Sequence, residues 1–411
     1  MGKFMAVFLP VLLFLSNLLN YLDRQLFTAL FPVLGPAYHL SDSKMGLLGS
    51  SFTLSYLVAA PVVGVLLDRF SPRILLSSGV LVFSLGMAIA STASGTVGLF
   101  SGRILTGVGE ASLIVVGPRI LGGQKGGGVR LGLFFLALPI GVAAGFLLAS
   151  RALSDFHRIL FLPVLPGLLL GGMFLLPFAN GGKNLEKGEE CESPSVPVIS
   201  RFSLLFLDVR LRTLVLLQSV TFFVMGGMSV WLSVYLTRVR HLSMREAGQT
   251  SAVALVIGGV IGILLSGYFC DKVKEGDSAG IFFLLSRTQF LALAGICLVL
   301  VADRRPLLLV GMVLSSGALF GLNVSLVAAF MRMSAPSLWG CVLGGGLFLS
   351  HLGGDLPAGT LIGFVSTHLG LKAGVEILLP APLLAGLLAV GWQGMRESSQ
   401  SEPSKPPFFS G

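Results

Sequence analysis

Two acids and two arginines stand inside apolar stretches of this chain, at spacings that could hold an anion and move protons. Asn20-Tyr21-Leu22-Asp23-Arg24 lies near the end of a run that is otherwise apolar from about Phe4 to Leu34. Arg103 and Glu110 lie in a second run, Gly102-Arg103-Ile104-Leu105-Thr106-Gly107-Val108-Gly109-Glu110-Ala111-Ser112. A full charge in hydrocarbon costs roughly 3 kcal/mol on insertion scales, so such residues persist where they pair or face water. A carboxylate in a low dielectric holds its proton more readily, whereas a guanidinium beside it draws the proton off. A cavity that opened to one side and then the other would shift that balance. Arginine keeps its charge, and its fork fits a carboxylate or a phosphate. Asp23 and Glu110 are therefore candidates for proton exchange, and Arg103 and Arg24 for holding an anionic headgroup. The competing reading is a helix-pairing Asp23–Arg103 salt bridge, a poor stabiliser once buried.

The elements that position these groups follow from composition. The chain has 411 residues, 54% hydrophobic and only 11% charged, against about 25% charged in soluble domains. Its apolar stretches are continuous and do not alternate, which argues for membrane helices over a β-barrel. They place spans at about 6–31, 44–67, 74–94, 97–119, 131–152 and 158–178, then at about 213–236, 246–269, 280–301, 306–330, 338–365 and 373–394. The expected fold is an all-α membrane protein of twelve transmembrane helices in two six-helix halves. The divisions are 1–179, a linker at 180–205, 206–395, and a polar, disordered tail at 396–411. The run after Lys3 is long and lacks a clear cleavage site, so it is expected to remain as the first span.

Basic residues are more numerous in the segments that lie inside if both termini are inside, although Arg238-Val239-Arg240 falls outside. The expected location is thus the inner (plasma) membrane, multi-pass, with both termini cytoplasmic. The net charge of +9 reflects this bias and not nucleic-acid binding, since no aromatic-basic patch accompanies it. With this orientation Asp23 lies about 25 Å from the inner face and Arg103 about 21 Å, so the two share a level. Glu110 follows Arg103 by seven residues, on the same helix face and about 10 Å deeper.

Other polar groups stand inside spans. Gly64-Val65-Leu66-Leu67-Asp68-Arg69 closes the second span and Gly267-Tyr268-Phe269-Cys270-Asp271-Lys272 the eighth, an internal echo that suggests two related halves. Gly64, Asp68, Arg69 and Asp271 are candidate gating residues, where acid and base could latch neighbouring helix ends; solvated charge is the alternative. His351-Leu352-Gly353-Gly354-Asp355 precedes Pro357, which can break the eleventh helix. Tyr21, Asn323 and His351 join Arg24 and Arg103 as candidate substrate-binding residues, and Arg287 is a further charge within a span. Gly141 and Gly145 form a small-residue packing face. Trp231 and Tyr235 line a cavity or sit in an interfacial belt, the belt being favoured for Tyr235. Cys191, Cys270, Cys297 and Cys341 form no C-x-x-C pair, so neither disulfide nor metal is expected. No Walker motif, zinc-protease motif or nucleophile elbow is present, which points away from an ATP-driven pump, an enzyme or a cofactor.

The six-plus-six layout and the Gly-x-x-x-Asp-Arg loop resemble the major facilitator superfamily. Asn20 to Arg24, Gly102-Arg103 with Val108-Gly109-Glu110-Ala111-Ser112, Leu138-Pro139-Ile140-Gly141 and His351 to Asp355 together resemble its Spinster subfamily. That resemblance implies twelve helices around a cavity, alternating access, and carriage of lysophospholipids or sphingoid phosphates, with Asp23 and Glu110 as the protonatable pair. It also implies that Gly64, Asp68 and Arg69 form the gate motif. Departures occur at Ser71-Pro72-Arg73, at the Gly122 to Gly128 loop, and at Thr367-His368, where the family carries an acid. The expected partners are a small amphipathic substrate, protons and the bilayer, with the chain a monomer. Alternatives are a multidrug or organic-anion carrier of the same superfamily, a scramblase-like channel, or a receptor.

Overall fold

The computed structural model describes residues 2–67, 69–122, 127–152, 155–176, 198–274, 277–335 and 338–400. Regular structure among them is helical throughout. The first six spans are α1 (Gly2–Ala29), followed by a short α2 (Phe31–Ala37), then α3 (Asp42–Leu66), α4 (Pro72–Ser91), α5 (Thr96–Gly122), α6 (Gly127–Ala149), and α7 (Phe156–Phe161) with α8 (Val164–Met173) as one broken span. A short helix α9 (Val198–Leu207) precedes α10 (Val209–Arg238), α11 (Met244–Lys272), α12 (Ser278–Val301) and α13 (Arg305–Arg332). The eleventh span is α14 (Trp339–Ser350), a π-helical turn at His351–Asp355, and α15 (Leu356–Leu369); the twelfth is α16 (Leu371–Glu376) with α17 (Pro380–Gln400). We call the end where α1 begins the base and the opposite end the top.

Ten spans among the described residues are long and apolar enough to cross a membrane, two of them built from paired shorter helices, α7 with α8 and α16 with α17. The other two spans of the twelve are instructive. α1 is long enough but carries Ser16, Asn17, Asn20, Asp23, Arg24 and Gln25. The eleventh span is broken in pattern at Pro357. That residue has no N–H for the carbonyl four residues back, and the ladder widens: the Leu356 N–H reaches back to the His351 carbonyl, five residues away. The helix thus shifts register where the sequence suggests a break.

Polar caps set the helix starts. The Ser41 hydroxyl accepts from the Lys44 N–H at 3.3 Å to start α3. Ser243 and Glu246 form a reciprocal capping box on α11. Asp208 accepts from the Arg210 and Leu211 N–H groups to start α10, and the Arg210 guanidinium beside it holds its carboxyl below the usual range. Small residues set the packing. Gly141 faces the Leu18 carbonyl and the Tyr21 Cβ, and Gly145 the Leu22 carbonyl, so this face of α6 lies backbone-close against α1.

Two boundaries differ from expectation. α9 occupies part of the stretch expected to be linker, because Leu204 and Leu205 pack against the core. α17 runs on to Gln400, past the expected start of the tail at 396.

Candidate functional site

α1 and α5 run antiparallel and present their polar residues to each other. Asn20 and Asp23 lie on α1 and Arg103 and Glu110 on α5, and all four are at most 2% exposed. They are shielded from lipid and from solvent alike. The Asn20 amide, oriented with its NH2 toward α5, donates to both oxygens of Glu110. Asp23 and Arg103 do not form the ion pair of the competing reading. Neither Asp23 oxygen, and neither Nε nor Nη1 of Arg103, has a hydrogen-bond partner in the protein. The Arg103 guanidinium instead lies over the Phe27 ring at 4.7 Å and the Phe52 ring at 4.5 Å. Aromatic faces can stabilise a desolvated guanidinium in place of carboxylates.

Arg24 points from α1 into the other half. Its Nη2 donates to Oδ2 of Asp355 at 2.9 Å, and its side chain is 26% exposed. Asp355 is a hub. His351 Nδ1 lies 3.0 Å from the same oxygen, and Thr53 Oγ1 on α3 donates to Oδ1 at 3.4 Å. The π-helical turn presents His351 and Asp355 together. The His351 ring packs on Phe222 at 4.6 Å and edge-on to Tyr56 at 5.8 Å. Tyr21 and Tyr56 are half-buried beside this bridge. Nothing in the sequence alone pairs Asp355 with Arg24. The usable signal is an acid four residues from a histidine, in an apolar run that ends on proline.

The remaining candidates lie elsewhere. Asn323 Nδ2 on α13 reaches Met225 Sδ on α10 at 3.3 Å, within the second half. Arg287 is exposed on α12 and rests over Phe283 at 4.6 Å. Trp231 and Tyr235 form no interfacial belt and line no cavity: each is 1% exposed, and the Trp231 Nε1 donates to the Gly359 carbonyl at 3.0 Å. Of the gating candidates, Asp68 lies outside the described residues. Gly64 is half-buried, and Arg69 and Asp271 are exposed and make no ion pair among the described residues.

A contact set not foreseen from the sequence joins the halves at the top. Arg238 Nη1 donates to Asp42 Oδ1 at 2.7 Å, and the Ser366 hydroxyl donates to Asp42 Oδ2. The hydroxyls of Ser43 and Thr367 meet at 2.8 Å, and Ser50 donates to the Leu356 carbonyl at 2.7 Å. Gly46 abuts the Gly359 carbonyl, and Gly363 the Asp42 carbonyl, so α3 and α15 touch backbone to backbone. Gln25 and Ser229 bond each other reciprocally at 3.0 and 3.1 Å. These cross-half bonds, with Arg24–Asp355, run from the middle of the molecule to the top. Toward the base, a Cβ at Gly64, Gly267, Gly340 or Gly344 would meet nothing within 4 Å.

A family model described as Major Facilitator Superfamily matches residues 13–356. Protein spinster homolog 1 of Xenopus tropicalis is 28% identical over 410 residues, covering 89% of this chain and 73% of that protein. The sphingosine-1-phosphate transporter SPNS2 of Danio rerio is 28% identical over 386 residues, covering 86% of this chain and 75% of that protein. Among solved structures, a bacterial homolog of the human lysosomal transporter Spinster, inward-facing and unoccupied, superposes with a TM-score of 0.79 at 15% identity, covering 98% of this chain and all of that one. The nucleoside transporter NupG superposes at 0.72 with 13% identity, covering 96% of this chain and 99% of that one. At such identities the structural likeness speaks for the fold, and the family match carries the assignment. The chain belongs to the major facilitator superfamily and is Spinster-like within it.

Proposed function

We propose that this chain is a proton-coupled secondary transporter that works by alternating access and carries an amphipathic anion of the lysophospholipid or sphingoid phosphate class. The observation that carries the reading is the buried Asp23 and Arg103, not hydrogen-bonded to each other, with Asp23 adjacent in the chain to the Arg24 of a cross-half ion pair. Asp23, Glu110 and Asp355 face Arg24, Arg103 and His351. With all three acids ionised and the imidazole neutral, the set holds a net negative charge. A proton on one acid or on His351 makes it neutral. Low dielectric penalises net charge, so proton uptake and the arrival of an anionic headgroup are coupled through one charge balance.

The geometry suggests the sequence of events. In the proposed cycle the halves part at the base, the cytoplasmic side in the proposed orientation. An anion entering there meets Arg24, which its fork can bind in place of Asp355. Breaking the Arg24–Asp355 pair loosens the halves in the middle, and the top seam can then open while the base closes. The acyl or sphingoid tail finds apolar walls. The naming of a relative as a sphingosine-1-phosphate transporter supports this substrate class. The chain acts alone in the inner membrane, with Gly64, Asp68, Arg69 and Asp271 closing the base in the opposite state.

The test is uptake into proteoliposomes of lysophospholipid, sphingosine phosphate and a cationic drug, with internal pH recorded. The expected result is uptake of an anionic lipid, trans-stimulated by unlabelled substrate and accompanied by a pH change. Drug movement with proton flux and no lipid movement would favour the multidrug reading. Lipid movement without trans-stimulation would favour a channel.

A further inference from the structure

Phe52 lies on α3 against two cations. Its ring centroid is 4.5 Å from the Arg103 guanidinium carbon and 4.7 Å from that of Arg24. Phe52 is 1% exposed and Phe27, the other ring against Arg103, is fully buried. A planar, delocalised and weakly hydrated guanidinium can rest on aromatic faces where an ammonium could not rest as well. Held in this way, Arg103 leaves Nε and Nη1 without acceptors, and Asp23 has no donor on either oxygen. The ring that holds Arg103 also touches the arginine that pairs with Asp355 across the halves.

We propose that Phe52 is a positioning residue, a partition that holds the Arg103 guanidinium off the Asp23 carboxylate and links that spacing to the Arg24–Asp355 pair. The assignment rests on the transport reading above. The charged and titratable groups around the ring are Tyr21, Asp23 and Arg24 on α1, Tyr56 on α3, Arg103 and Glu110 on α5, and His351 and Asp355 at the π-helical turn. With the ring in place, Arg103 must give up its aromatic contacts to reach Asp23. Without it, only Phe27 competes with the acid for the cation. A carboxylate seized by Arg103 cannot exchange a proton, so the partition keeps the acid available while the halves are bridged.

Carbodiimide modification followed by mass spectrometry tests this on the full chain in nanodiscs, because the reagent attacks protonated, unpaired carboxyl groups in apolar sites and needs no transport. Phe52→Leu keeps most of the apolar volume and removes the π face, whereas Phe52→Tyr retains it. Labelling of Asp23 at one fixed pH is expected to fall roughly thirtyfold in Phe52→Leu, the size of one desolvated cation–π contact, and to recover in Phe52→Tyr. Arg103→Lys keeps the charge, loses the stacking plane, leaves both rings in place, and is expected to lose labelling likewise. It stands in if Phe52→Leu does not fold. Equal labelling of Asp23 in the parent, Phe52→Leu and Arg103→Lys overturns the proposal. Loss in Phe52→Tyr equal to that in Phe52→Leu, or no labelling of Asp23 in the parent, also overturns it. Labelling that behaves as expected in a chain that shows no proton-coupled uptake would sink the transport reading and leave the role of Phe52 standing.

Discussion

At the top, α3 and α15 meet backbone to backbone through Gly46, Gly359 and Gly363, and polar pairs at Asp42 and Ser43 cap the seam. At the base, glycines of α3, α11 and α14 face open space. α3 and the eleventh span thus meet through rigid backbone atoms at the top, whereas a Cβ would find room at Gly64, Gly340 and Gly344 nearer the base. The difference lies in what touches and not in composition, since both ends are glycine-rich with a few charges. A seam of carbonyls and Cα atoms cannot deform gradually, so in the proposed alternating-access cycle the halves would move as bodies about the Arg24–Asp355 level. Arg238 pairs with Asp42, and Arg240 Nη2 donates to the Val299 carbonyl at 2.6 Å. Arg238 thus ties the two halves at the top, whereas Arg240 ties α10 to α12 within the second half.

The sharpest way to break this contrast is at the level where the halves join. Arg24→Ala leaves Asp355 buried with only His351 and Thr53. Uptake is expected to fall about 100-fold, a little under the loss of a fully buried ion-pair partner because Arg24 is partly exposed. Initial rates in proteoliposomes at saturating substrate check it. Next come the glycines. Gly46→Ala drives a Cβ into the Gly359 carbonyl, which has nowhere to go. It is expected to cost about 1–3 kcal/mol, read as a lower unfolding midpoint or as a population shifted to top-open in spin-label distances. Gly64→Ala meets nothing in this state and is expected to stabilise the folded chain by about 0.5–1 kcal/mol, the helix-propensity gain, read as a raised unfolding midpoint. If Gly64 closes the base in the opposite state, the same variant slows transport. Unchanged transport would remove Gly64 from the gate.

The latch at the top has a smaller effect. Asp42→Asn removes a charge from a pair in which Arg238 is 37% exposed. A shift toward top-open of roughly two- to fivefold is expected, the size of a partly exposed ion pair, measured by reactivity of a cysteine placed at the top. Arg287→Ala lies outside both regions and is expected to leave uptake within about twofold of the parent. A larger loss would bring α12 into the pathway.

Much of this arrangement can be read from residue order. Continuous apolar runs mark the spans, and the six-plus-six layout with its repeated Gly-x-x-x-Asp-basic loops leads to the major facilitator fold. Counting residues along two antiparallel helices brings Asp23 to the level of Arg103. It cannot say which way a guanidinium turns, and here the rings of Phe27 and Phe52 compete with the acid for it. Trp231 and Tyr235 look like belt residues because amphipathic aromatics near a helix end suit an interface equally well. Only the position of α15 shows them to be core. The Asp42–Arg238 latch spans 196 positions and has no local signature. Asp42 directly follows the Ser41 cap of α3, so its own role is hidden among capping residues.

The most direct test of the central claim is proton movement during lipid uptake. Internal pH is recorded in proteoliposomes holding the parent chain or Glu110→Gln, with an anionic lysophospholipid added outside. In the parent, substrate addition is expected to drive a proton flux that stops when substrate is removed, and in Glu110→Gln that flux is lost. A flux that persists unchanged in Glu110→Gln, or lipid uptake in the parent with no proton flux at all, would contradict the account.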